Sequence, residues 1–226
     1  MSKISVGYWD IRALAEPIRL ILEYCGADYE DRRYQLRGEL PNVDRSDWLV
    51  VKFKLGLDFP NLPYLIDGDV KMTQQWAIMK YLARKYGNLI PKTEEETRRC
   101  DMTQEDIRDL GSAFIRLIST PGSFEDAKKN FLEETVPKHL EAFEKFLSDK
   151  DWMAGATLTY VDFEICERLD VLTEMQSDCL DKYLNVKKYK ERFFALDKIA
   201  AYRSTERFKE YPIFVKMAKW GYKKEN

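Results

Sequence analysis

The apolar positions of the chain change period several times in its first third. ISVGY reads as a short strand, and ALAEPIRLILEYCG then places Leu14, Ile18, Ile21, Leu22 and Cys25 at helical spacing. Pro17 fits that helix only if it begins close before the proline, and Gly26 is placed to end it in a left-handed conformation. DYEDRRYQL reads as a weaker second strand. LPYLI and VKM flank DGD, a hairpin signal, and QQWAIMKYLARKYG sets Ala77, Ile78, Tyr81 and Leu82 on one helical face ending at Gly87.

Helical patterns dominate the remainder. NLIPK is a short linker, after which Thr93 and Glu96 form a capping box. The stripe of the helix they open continues through Ile107, Leu110, Phe114, Leu117 and Ile118. EETVPKHLEAFEKFLSD, TYVDFEICERLDVLTEM, VKKYKERFFAL and KIAAYRSTERF are further helices. Thr159 and Asp162 make a second capping pattern ahead of Phe163, Ile165 and Leu169. The pattern predicts a small α/β domain over residues 1–86, then an all-helical domain over 93–226, with no internal repeat.

Composition narrows the function classes. With 226 residues, 45% hydrophobic and 34% charged, the chain is an ordinary globular sequence long enough for two modest domains. Its formal net charge of −2 leaves no basic field to attract nucleic acid. No apolar run approaches the ~18 residues of a membrane span, and MSKISVGYWD lacks the apolar core of a secretory signal. Cys25, Cys100, Cys166 and Cys179 form no C-x-x-C pair, which argues against a zinc ribbon, a disulfide framework or a dithiol redox motif. Scattered thiols fit a reducing cytoplasm. The single histidine, His139, sits in a helical stretch and reads as a helix-surface residue, so no metal site is expected.

Tyr8 and Trp9 stand on the turn between the first strand and the first helix. Large aromatics often close an element in this way, so the pair by itself assigns no chemistry. The wider context does. GYWDIR (7–12), DRSDWL (44–49), KFKLGLDFPNLPYLIDGDVKMTQ (52–74), GATLTYVDF (155–163) and FVKMAKWG (214–221) together resemble the cytosolic glutathione S-transferases, specifically their mu class. The resemblance runs essentially end to end, and LGLDFPNLPYLIDG in register with the rest is its most specific part.

That resemblance implies an α/β thioredoxin-like N-terminal domain that binds glutathione, plus an all-α C-terminal domain that supplies most of the electrophile pocket. It also implies a cytoplasmic homodimer that uses glutathione as co-substrate, with no further cofactor. Tyr8 matches the catalytic tyrosine. A free thiol has a pKa of ~8.5 and the thiolate is the nucleophile. A phenol donating to the sulfur favours the anion, and a two-unit drop requires about 2.7 kcal/mol of such preference. Charge-assisted bonds of ~1.5–3 kcal/mol cover most of it.

By the same resemblance Trp9, Trp48 and Lys52 hold the glycine carboxylate, with Arg45 in the same loop. Asn61 and Leu62 hold the middle of the tripeptide, and Pro63 follows a cis bond that presents the Leu62 backbone. Gln74 and Gln75 take the γ-glutamyl end, and Asp109 meets its ammonium from the other subunit. Phe59 projects into that subunit, in a role that would otherwise read as a core phenylalanine. Leu14, Ile115, Ser119 and Phe214, with Val215 beside them, are the residues expected at the electrophile.

Two positions depart from the family pattern. Gln75 stands where a Ser or Thr is usual, and Ser119 where a tyrosine often assists the electrophile. The alternative reading is a ligand carrier or structural protein on the same fold, since fold does not fix function. A glutathione-dependent isomerase would differ only in the pocket. The retained Tyr8 and glutathione contacts favour a conjugating enzyme, because a carrier has no need of the thiol machinery.

Overall fold

The computed structural model describes residues 3–223. The chain divides into two compact units: the first runs through Asn88 and takes in Tyr202–Met217 and the segment from Gly221, and the second comprises Leu89–Ala201 and Ala218–Trp220.

In the first unit, β1 (Ile4–Trp9), α1 (Glu16–Cys25) and β2 (Tyr29–Tyr34) form a parallel β-α-β crossover. A short helix, α2 (Ser46–Leu49), follows, then the hairpin β3 (Tyr64–Asp67) and β4 (Val70–Thr73), then α3 (Gln75–Leu82). The sheet order is β2-β1-β3-β4, with β3 antiparallel to both neighbours. Parallel strands need a crossover connection, which α1 supplies between β1 and β2, whereas the two-residue turn at Gly68–Asp69 makes the hairpin antiparallel. Gly26 ends α1 with φ 66°, and the N–H of Ala27 reaches back to the Leu22 carbonyl at 3.0 Å.

Several local expectations are corrected. Leu14 is not part of the α1 stripe, because a tight turn over Ala13–Ala15 precedes the helix and leaves Leu14 38% exposed. Ala77 is exposed, and the buried face of α3 is Ile78, Met79 and Leu82. Beyond Leu82 the backbone widens into a π-type turn over Ala83–Gly87, and Asn88, not Gly87, adopts the left-handed conformation that stops it. Sequence pattern also gave no sign that α1 buries two charges. Arg19 is fully buried, donating to Glu16 at 3.1 Å, Asp31 at 3.0 Å and the Ile11 carbonyl at 2.9 Å.

The second unit is helical: α4 (Glu94–Ile118), α5 (Phe124–Asn130), α6 (Val136–Phe146), α7 (Tyr160–Met175), α8 (Leu184–Phe194) and α9 (Asp197–Arg203), whose last residues cross into the first unit. Thr93 and Glu96 exchange both bonds of a capping box. Ile107, Leu110, Phe114, Leu117 and Ile118 are all buried. Asp162 accepts from the Thr159 N–H at 2.7 Å, and Tyr189 donates to it at 2.8 Å. His139 is half-buried, not a free surface residue, and lies 2.8 Å from Asp106. Among the described residues, no helix is long and apolar enough to cross a membrane.

The helical domain expected over 93–226 therefore does not keep its last segment. Tyr202–Met217 straps onto the first unit because that unit offers its partners. Tyr202 donates to Glu16 at 2.9 Å, and the Arg12 and Ala13 N–H groups bond the Pro212 and Ile213 carbonyls at 2.9 and 3.1 Å.

Candidate functional site

β1 pairs with β3 only as far as Gly7 opposite Tyr64, while on its other edge it stays paired with β2 through Trp9. Tyr8 thus sits one residue beyond the end of the β1–β3 ladder. Its side chain, 6% exposed, joins a cluster with Ile11, Tyr34, Trp48, Leu57, Leu62 and Tyr64, against which Trp9 and Val215 also pack. Four of the expected glutathione residues, Tyr8, Trp9, Trp48 and Leu62, are therefore brought together.

The cluster is ordered by aromatic geometry. Trp48 stacks on Tyr64 at 5.9 Å and meets Tyr34 edge-on at 5.4 Å, while the Tyr34 and Tyr64 hydroxyls bond at 2.9 Å. Burial first, and then that bond, hold the Tyr64 phenol far above its usual pKa. Trp48 is delivered by α2, whose four residues are too few for a helical period to show in the sequence. The bridge between Arg37 and Asp44, the Asp44 carboxylate accepting from the Ser46 N–H and hydroxyl, and the Asp47 carboxylate accepting from the Gln35 N–H at 2.8 Å shape the chain into that turn.

Around the cluster lie polar groups. Lys52, one turn after Trp48, is half-buried, and Arg45, at the start of α2, is exposed. Asn61 is exposed, and Leu62 precedes a cis peptide to Pro63. The β3 ladder begins only at Tyr64, so the Leu62 backbone lies outside it. Gln74 is exposed with φ 75°, an unusual backbone for a side chain of its size, and Gln75, the first residue of α3, is buried. In contrast to α4, with its capping box and three glutamates, α3 starts with no side-chain cap and no acid in its first turn. Its first N–H groups suit an anion.

Phe214, 4% exposed, and Leu14 lie in the first unit. Ile115, 49% exposed, and Ser119, the residue that ends α4, lie in the second with the exposed Asp109. Phe59 is 75% exposed, so it is not a core phenylalanine; Thr73 donates to its carbonyl at 3.0 Å.

Sequence reasoning missed Tyr34, Tyr64 and Asp10. Tyr64 follows the cis proline directly, and its position in NLPYL was the available signal. Burial raises the Asp10 carboxyl, but the bonds from Lys209, Gln35 and Arg33 outweigh it and hold the group below its ordinary range. Among the described residues no group of His, Cys, Asp and Glu is placed to hold a metal ion.

Comparison with known proteins adds to this geometry. Residues 4–84 match the family model "Glutathione S-transferase, N-terminal domain", and residues 108–206 match "Glutathione S-transferase, C-terminal domain". The chain is 48% identical over 218 residues to glutathione S-transferase Mu 1 of Bos taurus, covering 96% of this chain and 98% of that one. It is 47% identical to glutathione S-transferase Mu 3 of Homo sapiens, over 98% and 97% of the two chains. Among solved structures, the glutathione S-transferase Blo t 8 superposes with a TM-score of 0.88 at 34% identity, covering 96% of this chain and all of its own.

Proposed function

Because the chain belongs to the glutathione S-transferase family, we propose that Tyr8 donates a hydrogen bond from its hydroxyl to the sulfur of bound glutathione and so favours the thiolate, the thiol proton passing to solvent. The thiolate attacks a small hydrophobic electrophile. With an aryl halide, the new C–S bond forms as the halide leaves with its electron pair. The part of Tyr8 is that of a hydrogen-bond donor and not of the base: an ordinary phenol has a pKa of ~10 and donates through its O–H at neutral pH.

The observation that supports this most is the burial of Tyr8 in one cluster with Trp48 and Leu62, just beyond the end of the β1–β3 ladder. A buried phenol acts in a low-dielectric surrounding, where its bond to an anion is strengthened. The rest of the tripeptide follows from the neighbouring groups. Lys52, Trp9 and Trp48, with Arg45 outside them, meet the glycine carboxylate. The Leu62 backbone, with Asn61, pairs with the cysteinyl unit. Gln74, the buried Gln75 and the uncapped start of α3 take the γ-glutamyl carboxylate.

We assign Leu14 and Phe214, with Ile115 and Ser119, to the electrophile. The exposure of Phe59 favours a homodimer in which it inserts into the neighbour, and Asp109 of the partner subunit meets the γ-glutamyl ammonium. The enzyme works in the cytoplasm on small electrophiles, without membrane or nucleic-acid partners.

The test is turnover with glutathione of an aryl halide, an epoxide, an enone and a hydroperoxide. Aryl halides should be the best substrates, since thiolate supply limits them and Ser119 lacks the reach of a phenol. Ser119→Tyr should raise epoxide turnover selectively, and Gln75→Ser should tighten glutathione. Tight glutathione binding without turnover of any of the four would favour the carrier reading.

A further inference from the structure

The strap formed by Tyr202–Met217 is fastened at the turn just beyond Tyr8, and an ion pair is part of that fastening. Lys209 Nζ lies 2.7 Å from both oxygens of Asp10. Asp10 also accepts from Arg33 at 3.2 Å and from Gln35 at 3.1 Å, so its carboxylate is fixed from β2 as well as from the strap. Close by, the Arg12 guanidinium lies over the Phe208 ring at 5.3 Å. The backbone bonds from Arg12 and Ala13 to Pro212 and Ile213 then bring the strap to Phe214 and Val215. Val215 packs on the cluster that contains Tyr8. One carboxylate, two residues after Tyr8, thereby ties down the segment that carries Phe214, five residues after Lys209.

We propose that Asp10 and Lys209 are positioning residues for the electrophile: their ion pair sets where Phe214 and Val215 stand against the Tyr8 cluster. This rests on the reading of Tyr8 and Phe214 given above. Breaking the pair from the strap side leaves Arg33 and Gln35 on Asp10, so the end of β1 keeps its support while the strap is loosened. Such a change falls on the apolar substrate and spares glutathione, whose contacts come from Trp48, Leu62 and α3. Other side chains hold the strap as well: Arg12 donates to the Glu210 carbonyl at 3.4 Å and Arg33 to the Arg207 carbonyl at 2.9 Å, while Tyr202 on Glu16 and Arg207 on Glu23 engage α1.

Lys209→Met is the primary variant, because Lys209 is 40% exposed and its loss opens no cavity. KM for an aryl halide at saturating glutathione should rise about fivefold, the scale of a lost pairwise coupling. KM for glutathione and the pH titration of its bound thiolate should stay within twofold of wild type. Lys209→Arg should restore the aryl halide KM, and Asp10→Asn combined with Lys209→Met should be no worse than the poorer single variant. An unchanged aryl halide KM in Lys209→Met overturns the proposal. So does a rise in KM for glutathione matching that for the aryl halide, which would make the pair a general stabiliser of the fold. Failure of the underlying site reading shows separately, as a thiolate titration that does not respond to Tyr8→Phe.

Discussion

The ring of Tyr64 rests on the backbone of Gly7 so closely that a Cβ built on Gly7 would stand 2.0 Å from its Cε1 atom. Gly7 is needed for this approach across the β1–β3 ladder, where the two residues are paired. Tyr64 in turn carries Trp48, stacked on it at 5.9 Å. A glycine one residue before the proposed catalytic tyrosine therefore sets how closely the Tyr64–Trp48 stack approaches the end of β1.

Gly7→Ala should displace Tyr64 and, through it, Trp48. Forcing a methyl into a packed contact costs about 1–3 kcal/mol, readable as a lower urea midpoint. Glutathione affinity should fall as well, with a change in tryptophan fluorescence. A variant as stable as wild type, with unaltered affinity, would show that Tyr64 has room to move and does not support the site.

Ala13 carries a backbone φ of 34°, on the side of the map that disfavours any Cβ, while its N–H is bonded to the Ile213 carbonyl. Ala13→Gly should relieve that conformation. Glycine also gains freedom in the unfolded chain, so the net stabilisation is up to about 1 kcal/mol, a rise of roughly 2–4 °C in Tm for a chain of this size. Calorimetry decides it, and a fall in Tm would mean that the methyl group packs more usefully than its backbone suffers.

Asp67 concentrates three donors on one oxygen: Tyr86 at 2.6 Å, Lys85 at 2.7 Å and Tyr81 at 2.9 Å. Burial raises its carboxyl, but the bonds from Lys85, Tyr86 and Tyr81 prevail and hold it below the usual range. The unfolded carboxyl titrates near ~3.9, so the stabilisation is complete above that value and is lost as the pH falls through the lower folded value. Asp67→Asn should cost about 1–2 kcal/mol at pH 7, and the gap from wild type should close in strongly acidic solution. Urea unfolding at a series of pH values measures this; a gap independent of pH would remove the charge from the explanation.

The elements that could be read from the sequence are those whose cause is local. The capping boxes at Thr93 and Thr159, the Gly26 stop and the β3–β4 hairpin each need only a few adjacent residues. Hidden features depend on partners far along the chain. Arg19 is buried because Asp31 and Glu16 meet it, and Glu16 because Tyr202 arrives from the other end. α7 buries Glu164, Glu167, Arg168 and Asp170 with its apolar residues, so no polar face announces its position. For the site, alternation placed Tyr8 at the end of a strand, but its chemistry came from resemblance. The floor of Tyr34 and Tyr64 became visible only when two strands and a cis turn brought them to Trp48.

The proposed chemistry depends above all on the hydroxyl of Tyr8. The most direct measurement is the ultraviolet absorbance of the thiolate of enzyme-bound glutathione, titrated against pH in wild type and in Tyr8→Phe. Wild type should titrate on the order of two units below the ~8.5 of a free thiol. Tyr8→Phe keeps the ring and removes the donor, so its titration should return toward the free value. Its kcat for an aryl halide should drop roughly 10²-fold, the scale of one lost anion-stabilising donor, with glutathione affinity little changed. Coincident titration curves for the two proteins would contradict the assignment and place the stabilisation of the thiolate elsewhere in the site.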